Sequence, residues 1–169
     1  MKVLEFSPTS EQILKARKIS ESFALNSRSF MGGKRNLYAF LAEVVVGDFL
    51  EESGWMKPDG FSINYDIVSP NGKKWDIKNK MTTVKPRANY NCTIYNYFDQ
   101  KCDGYIFTRT KKDLSKVWIL GWINKSDLLE RGLEFEAGHV DDNMVMERGG
   151  IGIKIRELNE CNYTKSKGS

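Results

Sequence analysis

The hydrophobic pattern changes period several times along the chain, and each change marks an element. Thr9 and Gln12 have the spacing of a capping box, with Ser10 as an alternative cap. Ile13, Ala16, Ile19, Phe23 and Ala24 then recur at helical spacing, which predicts a helix to about residue 25. Residues 26–34 are polar, contain Gly32-Gly33 and read as a loop. Leu37, Phe40, Leu41, Val44, Val45 and Leu50 form the apolar stripe of a second helix over residues 36–52. Glu43 stands beside that stripe, and Gly54 suits its C-cap.

From residue 61 the period drops to two. Residues 61–68 alternate as a strand, Ser69-Pro70-Asn71-Gly72 forms a turn, and residues 73–81 return as a second strand. Trp75 and Ile77 take one face of that second strand, and Asp76, Lys78 and Lys80 take the other. Residues 89–101, rich in Asn and Tyr, are expected to form a helix. Residues 104–108 and 117–122 are largely apolar, as buried central strands are. A short helix over 126–131 closes at Gly132, and a late strand covers 152–155. The predicted order is ααββαββα and then a final strand or turn. That is an α/β chain, a single domain over residues 1–163 with a central mixed β-sheet flanked by helices. Residues 164–169 form a small polar tail expected to fray.

The hairpin register follows from its turn. Pro70 suits position i+1 of a type I turn, and Gly72 suits the left-handed position after it. The three-residue loop with a Gly bulge pairs Ser69 with Lys73. Counting outward sets Asp66 opposite Asp76, with Lys78 on the same face. Two like charges opposed across a hairpin destabilise it unless something compensates. A divalent cation would compensate well, because Asp oxygens are hard ligands suited to magnesium or manganese. Such an ion activates water and stabilises charge on a phosphoryl oxygen. A nearby lysine adds fixed positive charge where charge develops. The opposite, apolar face of the hairpin suits a docked helix, from which Glu43 could reach the metal edge. Its i+4 neighbour, Gly47, leaves space there.

A helix with Glu43, a hairpin with Asp66 and then Asp76-Ile77-Lys78, a helix and two apolar strands together resemble the PD-(D/E)XK, restriction-endonuclease-like, nuclease superfamily. The resemblance spans residues 36–125 and points to the phage or mobile-element type. Tyr65 stands where a Pro is usual and Asp76 where Glu is more frequent, but neither change removes an oxygen ligand. The resemblance implies that Asp66 and Asp76 bind Mg2+, with Mn2+ as a substitute, and that Glu43 completes the metal set. It also implies that Lys78 assists the attacking water and that the 3′ oxygen leaves. The expected function is a magnesium-dependent deoxyribonuclease. Endonuclease, exonuclease and resolvase all remain open, and a homodimer is compatible with the family.

Composition narrows the alternatives. With 40% hydrophobic and 28% charged residues the chain is globular, and no apolar run reaches the ~18 residues of a membrane span. The N-terminus lacks the ~7–15-residue apolar core of a signal peptide, so a cytoplasmic location is expected. One His and three unpaired-looking Cys argue against zinc and disulfides and for oxygen ligands. His139 with Asp141 and Asp142 reads as a solvated loop. The balance of 26 basic to 22 acidic residues, net +4, is compatible with DNA without requiring it. Lys80 shares the face of Lys78. Lys85, Arg87, Arg109, Lys111 and Lys112 are expected in loops near the site, where Lys80, Lys85, Arg87 and Arg109 are candidates for phosphate contacts. Arg28, Ser29, Lys34 and Arg35 add a basic loop around Gly32-Gly33. Tyr90, Tyr95, Tyr97 and Phe98 are expected to cover the sheet. The alternative function is a non-catalytic nucleic-acid-binding or assembly protein on the same scaffold.

Overall fold

A computed structural model describes residues 2–26, 34–59, 62, 64–95, 97–141 and 144–161. The Gly32-Gly33 loop with Arg28 and Ser29, Phe61, Ile63, Asp142 and the tail lie outside the described residues.

Strand β1 (Leu4–Phe6) precedes helix α1 (Ser10–Asn26). The capping box forms as its spacing demands: the Thr9 N–H donates to Gln12 Oε1 at 3.0 Å, and the Gln12 N–H donates to Thr9 Oγ1 at 3.1 Å. Helix α2 (Lys34–Glu51) ends in a Schellman pattern. Gly54 has φ +83°, its N–H donates to Glu51 O, and the Trp55 N–H donates to Leu50 O.

The hairpin has its predicted turn and register. Gly72 has φ +83°, its N–H donates to Ser69 O, and the Ser69 N–H donates to Lys73 O. Strand β2 (Ile67–Val68) pairs antiparallel with β3 (Lys74–Thr82) through Ile67↔Trp75 and Val68↔Lys74. The first strand is far shorter than expected. The chain leaves the sheet at Asp66, and residues 62, 64 and 65 carry no strand.

Residues 89–101 are not a helix. Strand β4 (Asn91–Ile94) alternates half-buried Asn91 and Thr93 with buried Cys92 and Ile94, and turns follow it. Asn is a poor helix former, whereas the Cys92–Ile94 alternation gives an apolar face to pack. β4 pairs antiparallel with β10 (Gly150–Lys154), which also pairs with β7 (Leu133–Phe135). A small hairpin of β8 (Val140–Asp141) and β9 (Met144–Val145) lies between them in sequence.

The two apolar runs are central strands as expected. β5 (Gly104–Lys111) lies parallel to β3 and antiparallel to β6 (Val117–Asn124), and both are buried almost throughout. The main sheet is mixed, in the order β1-β6-β5-β3-β2. Helix α3 (Lys125–Arg131) follows β6, and the N–H of Gly132 caps it on Leu128 O.

The core has two layers, one on each face of this sheet. Val46 and Leu50 of α2 pack on Ile67, Trp75, Ile77, Ile106 and Ile119, so α2 docks on the apolar face of the hairpin. Behind it, α1 packs on α2 through Ala16, Leu41 and Val45. On the other face, Tyr105, Phe107, Trp118 and Leu120 meet Cys92, Ile94, Ile151 and Ile153 of the smaller sheet. Trp75 lies over Gly104 of its neighbouring strand, where a Cβ would fall 2.4 Å from its ring. Burying rings of this size supplies a large share of the core's apolar area and fixes the strand position next to Asp76.

Candidate active site

Three elements converge at the edge of the main sheet. Among the described residues the β2 edge of β3 has no ladder partner beyond Trp75, because the chain has left the sheet at Asp66. The Asp66 N–H donates to Trp75 O at 2.8 Å, and Asp66 Oδ2 accepts the Ile77 N–H at 2.7 Å. The carboxylate thus takes the place of a ladder acceptor. This bond holds it against β3, within hydrogen-bonding reach of the Asp76 carboxyl.

Asp76 is only 6% exposed. Its Oδ1 accepts from Gln100 Nε2 at 2.5 Å. Its Oδ2 forms an ion pair with Lys78 Nζ at 2.8 Å. Lys78 shares the face of Asp76 as period two requires, and its side chain is 34% exposed. Glu43 comes from α2, on the opposite face of the sheet. It lines one cavity with Asp66 and feels the charges of both aspartates. The sequence-predicted set Glu43, Asp66, Asp76 and Lys78 is therefore brought together, although the two aspartates meet around a sheet edge rather than as a flat cross-strand pair.

The electrostatics follow from crowding acids in a half-dry place. Burial first, and then the Asp66 and Asp76 charges, push Glu43 up to about 8. Burial and the Asp76 charge push Asp66 up to about 7, against the Ile77 N–H and Lys78. Asp76 is also raised by burial, with Lys78 as the largest opposing influence. Among the described residues no three acidic, histidine or cysteine side chains are grouped as a ready-made metal cage.

The proposed phosphate contacts fare differently. Lys80 lies on the same sheet face as Asp76 and Lys78, opposite Arg109 in the β3–β5 register. Arg109 is not in a loop: it is a β5 residue, 5% exposed. Its guanidinium donates to Asn91 O at 3.2 Å and sits 4.9 Å over the Tyr90 ring. It serves the contact between the two sheets and is not offered to solvent. Lys111 is likewise in β5. Lys85 and Arg87 are exposed in the loop after β3, with Lys85 drawn electrostatically to Glu5 of β1, the edge strand opposite β2. The structure does not bring Lys85 to the carboxylates. Asp48 accepts from Gln12 Nε2 at 3.0 Å and stays at the surface, apart from the acidic set.

Three site neighbours escaped the sequence pattern. Gln100 lay within the expected helix, and only the β4 turn brings it onto Asp76. Lys125, at the start of α3, donates to the Gln100 carbonyl and braces that turn. Lys57 lies across Gly47, in the space the glycine leaves. The glycine was the one signal that could have found it.

Compared with known proteins, the chain matches no family model and has no significant match among curated proteins. Among the described residues no helix is long and apolar enough to cross a membrane.

Proposed function

We propose that this protein is a magnesium-dependent deoxyribonuclease that hydrolyses DNA phosphodiester bonds on a restriction-endonuclease-like core. One observation carries the reading. Asp66, Asp76 and Lys78 meet at one sheet edge, with Glu43 arriving from a separate helix. Crowded carboxyl groups cost stability, and a fold that needed only stability would place uncharged residues there.

The donor set suits the ion. Magnesium keeps several waters and is bound through one or two carboxylates, so a closed cage is not required. Asp66 and Asp76 would hold it, with Glu43 as the third acid. The ion would supply positive charge to a phosphoryl oxygen and a lowered pKa to a bound water. The chain's own residues do the rest. Gln100 holds Asp76 Oδ1 and so directs Oδ2 toward Lys78. Lys78 places a fixed positive charge beside the carboxylates, where it can hydrogen-bond the attacking water and oppose charge growing on the phosphate. The Ile77 N–H fixes the aim of Asp66. DNA is the favoured polyanion because the family resemblance, the net charge of +4 and the lysines beside the acids point the same way.

The test is cleavage of linear, supercoiled and branched DNA with magnesium, with EDTA and Lys78→Ala as controls. Removing one charged stabiliser of this kind is expected to slow cleavage by about 100-fold or more, with DNA binding kept. No cleavage of any substrate, together with no magnesium or manganese binding by calorimetry, would overturn the reading in favour of a binding module.

A further inference from the structure

Helix α2 carries a glycine at position 47, well inside its length and without the backbone conformation that needs one. A glycine there weakens a helix, so its retention calls for a local reason. A Cβ at 47 would fall 2.2 Å from Lys57 Cε and 2.8 Å from Lys57 Nζ. The glycine is the groove in which the Lys57 side chain lies. Residues four apart share a helix face, so this groove carries the Lys57 ammonium along α2 toward Glu43. Its effect on Glu43 is larger than that of Lys78.

The same groove opens into a cavity of about 230 Å3. Glu43 and Asp66 line it, and Lys15 of α1 and Lys57 line it with them. Lys15 is close enough to repel Lys57. Among the described residues, Lys57 pairs by contact with Asp48, at 3.9 Å, with both side chains 42% exposed. Such a loose surface pair holds little. Two repelling ammonium groups beside the acids form a site for an anion. The cavity is smaller than the roughly 300–1,000 Å3 of a small-molecule pocket, which favours a single phosphate group with its water.

We propose that Lys57, seated over Gly47, and Lys15 bind a backbone phosphate of the DNA next to the one presented to Asp66, Asp76 and Lys78. This rests on the nuclease reading, and it assigns to the two lysines the task of positioning the strand. On this account the site holds the strand from both sides of the sheet edge, with Lys78 on one face and the α1–α2 lysines on the other.

The experiment measures DNA affinity by fluorescence anisotropy on a short labelled duplex, with calcium replacing magnesium, over a series of NaCl concentrations. Wild type is compared with Lys57→Ala, Lys57→Arg, Lys15→Ala and Gly47→Ala, each checked for folding by circular dichroism. Each lost phosphate contact is expected to flatten the log K against log salt slope by about 0.9. Lys57→Ala and Lys15→Ala should both show this, with the loss in cleavage falling mainly on KM. Lys57→Arg should restore the slope. Gly47→Ala should act like Lys57→Ala although it removes no charge, because it displaces the lysine. Unchanged slopes in both alanine variants of a wild type that binds and cuts would overturn this proposal alone. A wild type that binds DNA without cutting would sink the nuclease reading, and the slopes would still decide the lysines.

Discussion

Removing the charge of Glu43 should make the metal-free protein more stable above neutral pH, a direction opposite to that of most buried substitutions. In the unfolded chain Glu43 and Asp66 ionise near 4.5 and 3.8; in the fold burial and mutual repulsion raise them to about 8 and about 7. A carboxyl raised on folding favours its neutral form. The stability that form contributes is complete below the unfolded value and is lost as the pH climbs through 7 to 8. Between pH 5.5 and 8.5, linkage gives a loss of about 3 kcal/mol for Glu43 and about 2 kcal/mol for Asp66. The two ionisations oppose each other, so a combined loss of about 3–5 kcal/mol is expected. For a chain of this length that is roughly 10 °C in Tm. Thermal unfolding by circular dichroism, in EDTA at the two pH values, reads it directly. Glu43→Gln should match wild type only below the unfolded value of 4.5, exceed it by about 1 kcal/mol at pH 5.5 and by more at pH 8.5, and show a shallower decline between. Magnesium should stabilise wild type more at pH 8.5 than at pH 5.5, because it binds the ionised carboxylates. A Glu43→Gln variant no more stable than wild type at pH 8.5 without metal would refute the electrostatic account of the site.

Two further outcomes follow from the contacts around the site. Gln100→Ala frees Asp76 Oδ1 from its amide partner; manganese affinity by calorimetry should weaken by about 10–100-fold, as for other residues that orient a ligand, and unchanged affinity would remove Gln100 from the site. Arg109→Ala removes a buried guanidinium that joins the two sheets through Asn91 O and Tyr90; Tm should fall by the equivalent of about 2–4 kcal/mol, while the salt dependence of DNA binding should stay at its wild-type slope.

Some of this site was readable from local chemistry alone. The Thr9–Gln12 capping box and the Pro70–Gly72 turn are decided by residues a few positions apart, and each formed as its sequence dictates. The turn sets the hairpin register, and the register puts Asp66 beside Asp76 and aligns Lys78 with them. Alternation then chose the faces, so α2 docked on Trp75 and Ile77 with Glu43 at the border. A period of two and one glycine turn were enough to find Asp66, Asp76 and Lys78; Glu43 came from the apolar stripe of a helix and the family layout.

What the sequence could not decide depended on partners far along the chain. Residues 91–94 form a strand because β10 supplies the ladder and an apolar face for Cys92 and Ile94. No local signal announces that partner, and the surrounding Tyr and Asn residues hid a short alternation. The same second sheet buries Arg109, which as a lone basic residue reads as a surface contact. It also fixes the turn that carries Gln100 to Asp76. Asp66 bends around the sheet edge because the unpaired Ile77 N–H needs an acceptor, a demand visible only once β2 has ended. Lys57 comes to line the cavity with Glu43 only because folding lays it in the gap at Gly47. Turn chemistry and side-chain period act between neighbours and survive in one dimension. Burial, long-range strand pairing and the packing of a lysine over a glycine exist only once the chain has closed on itself.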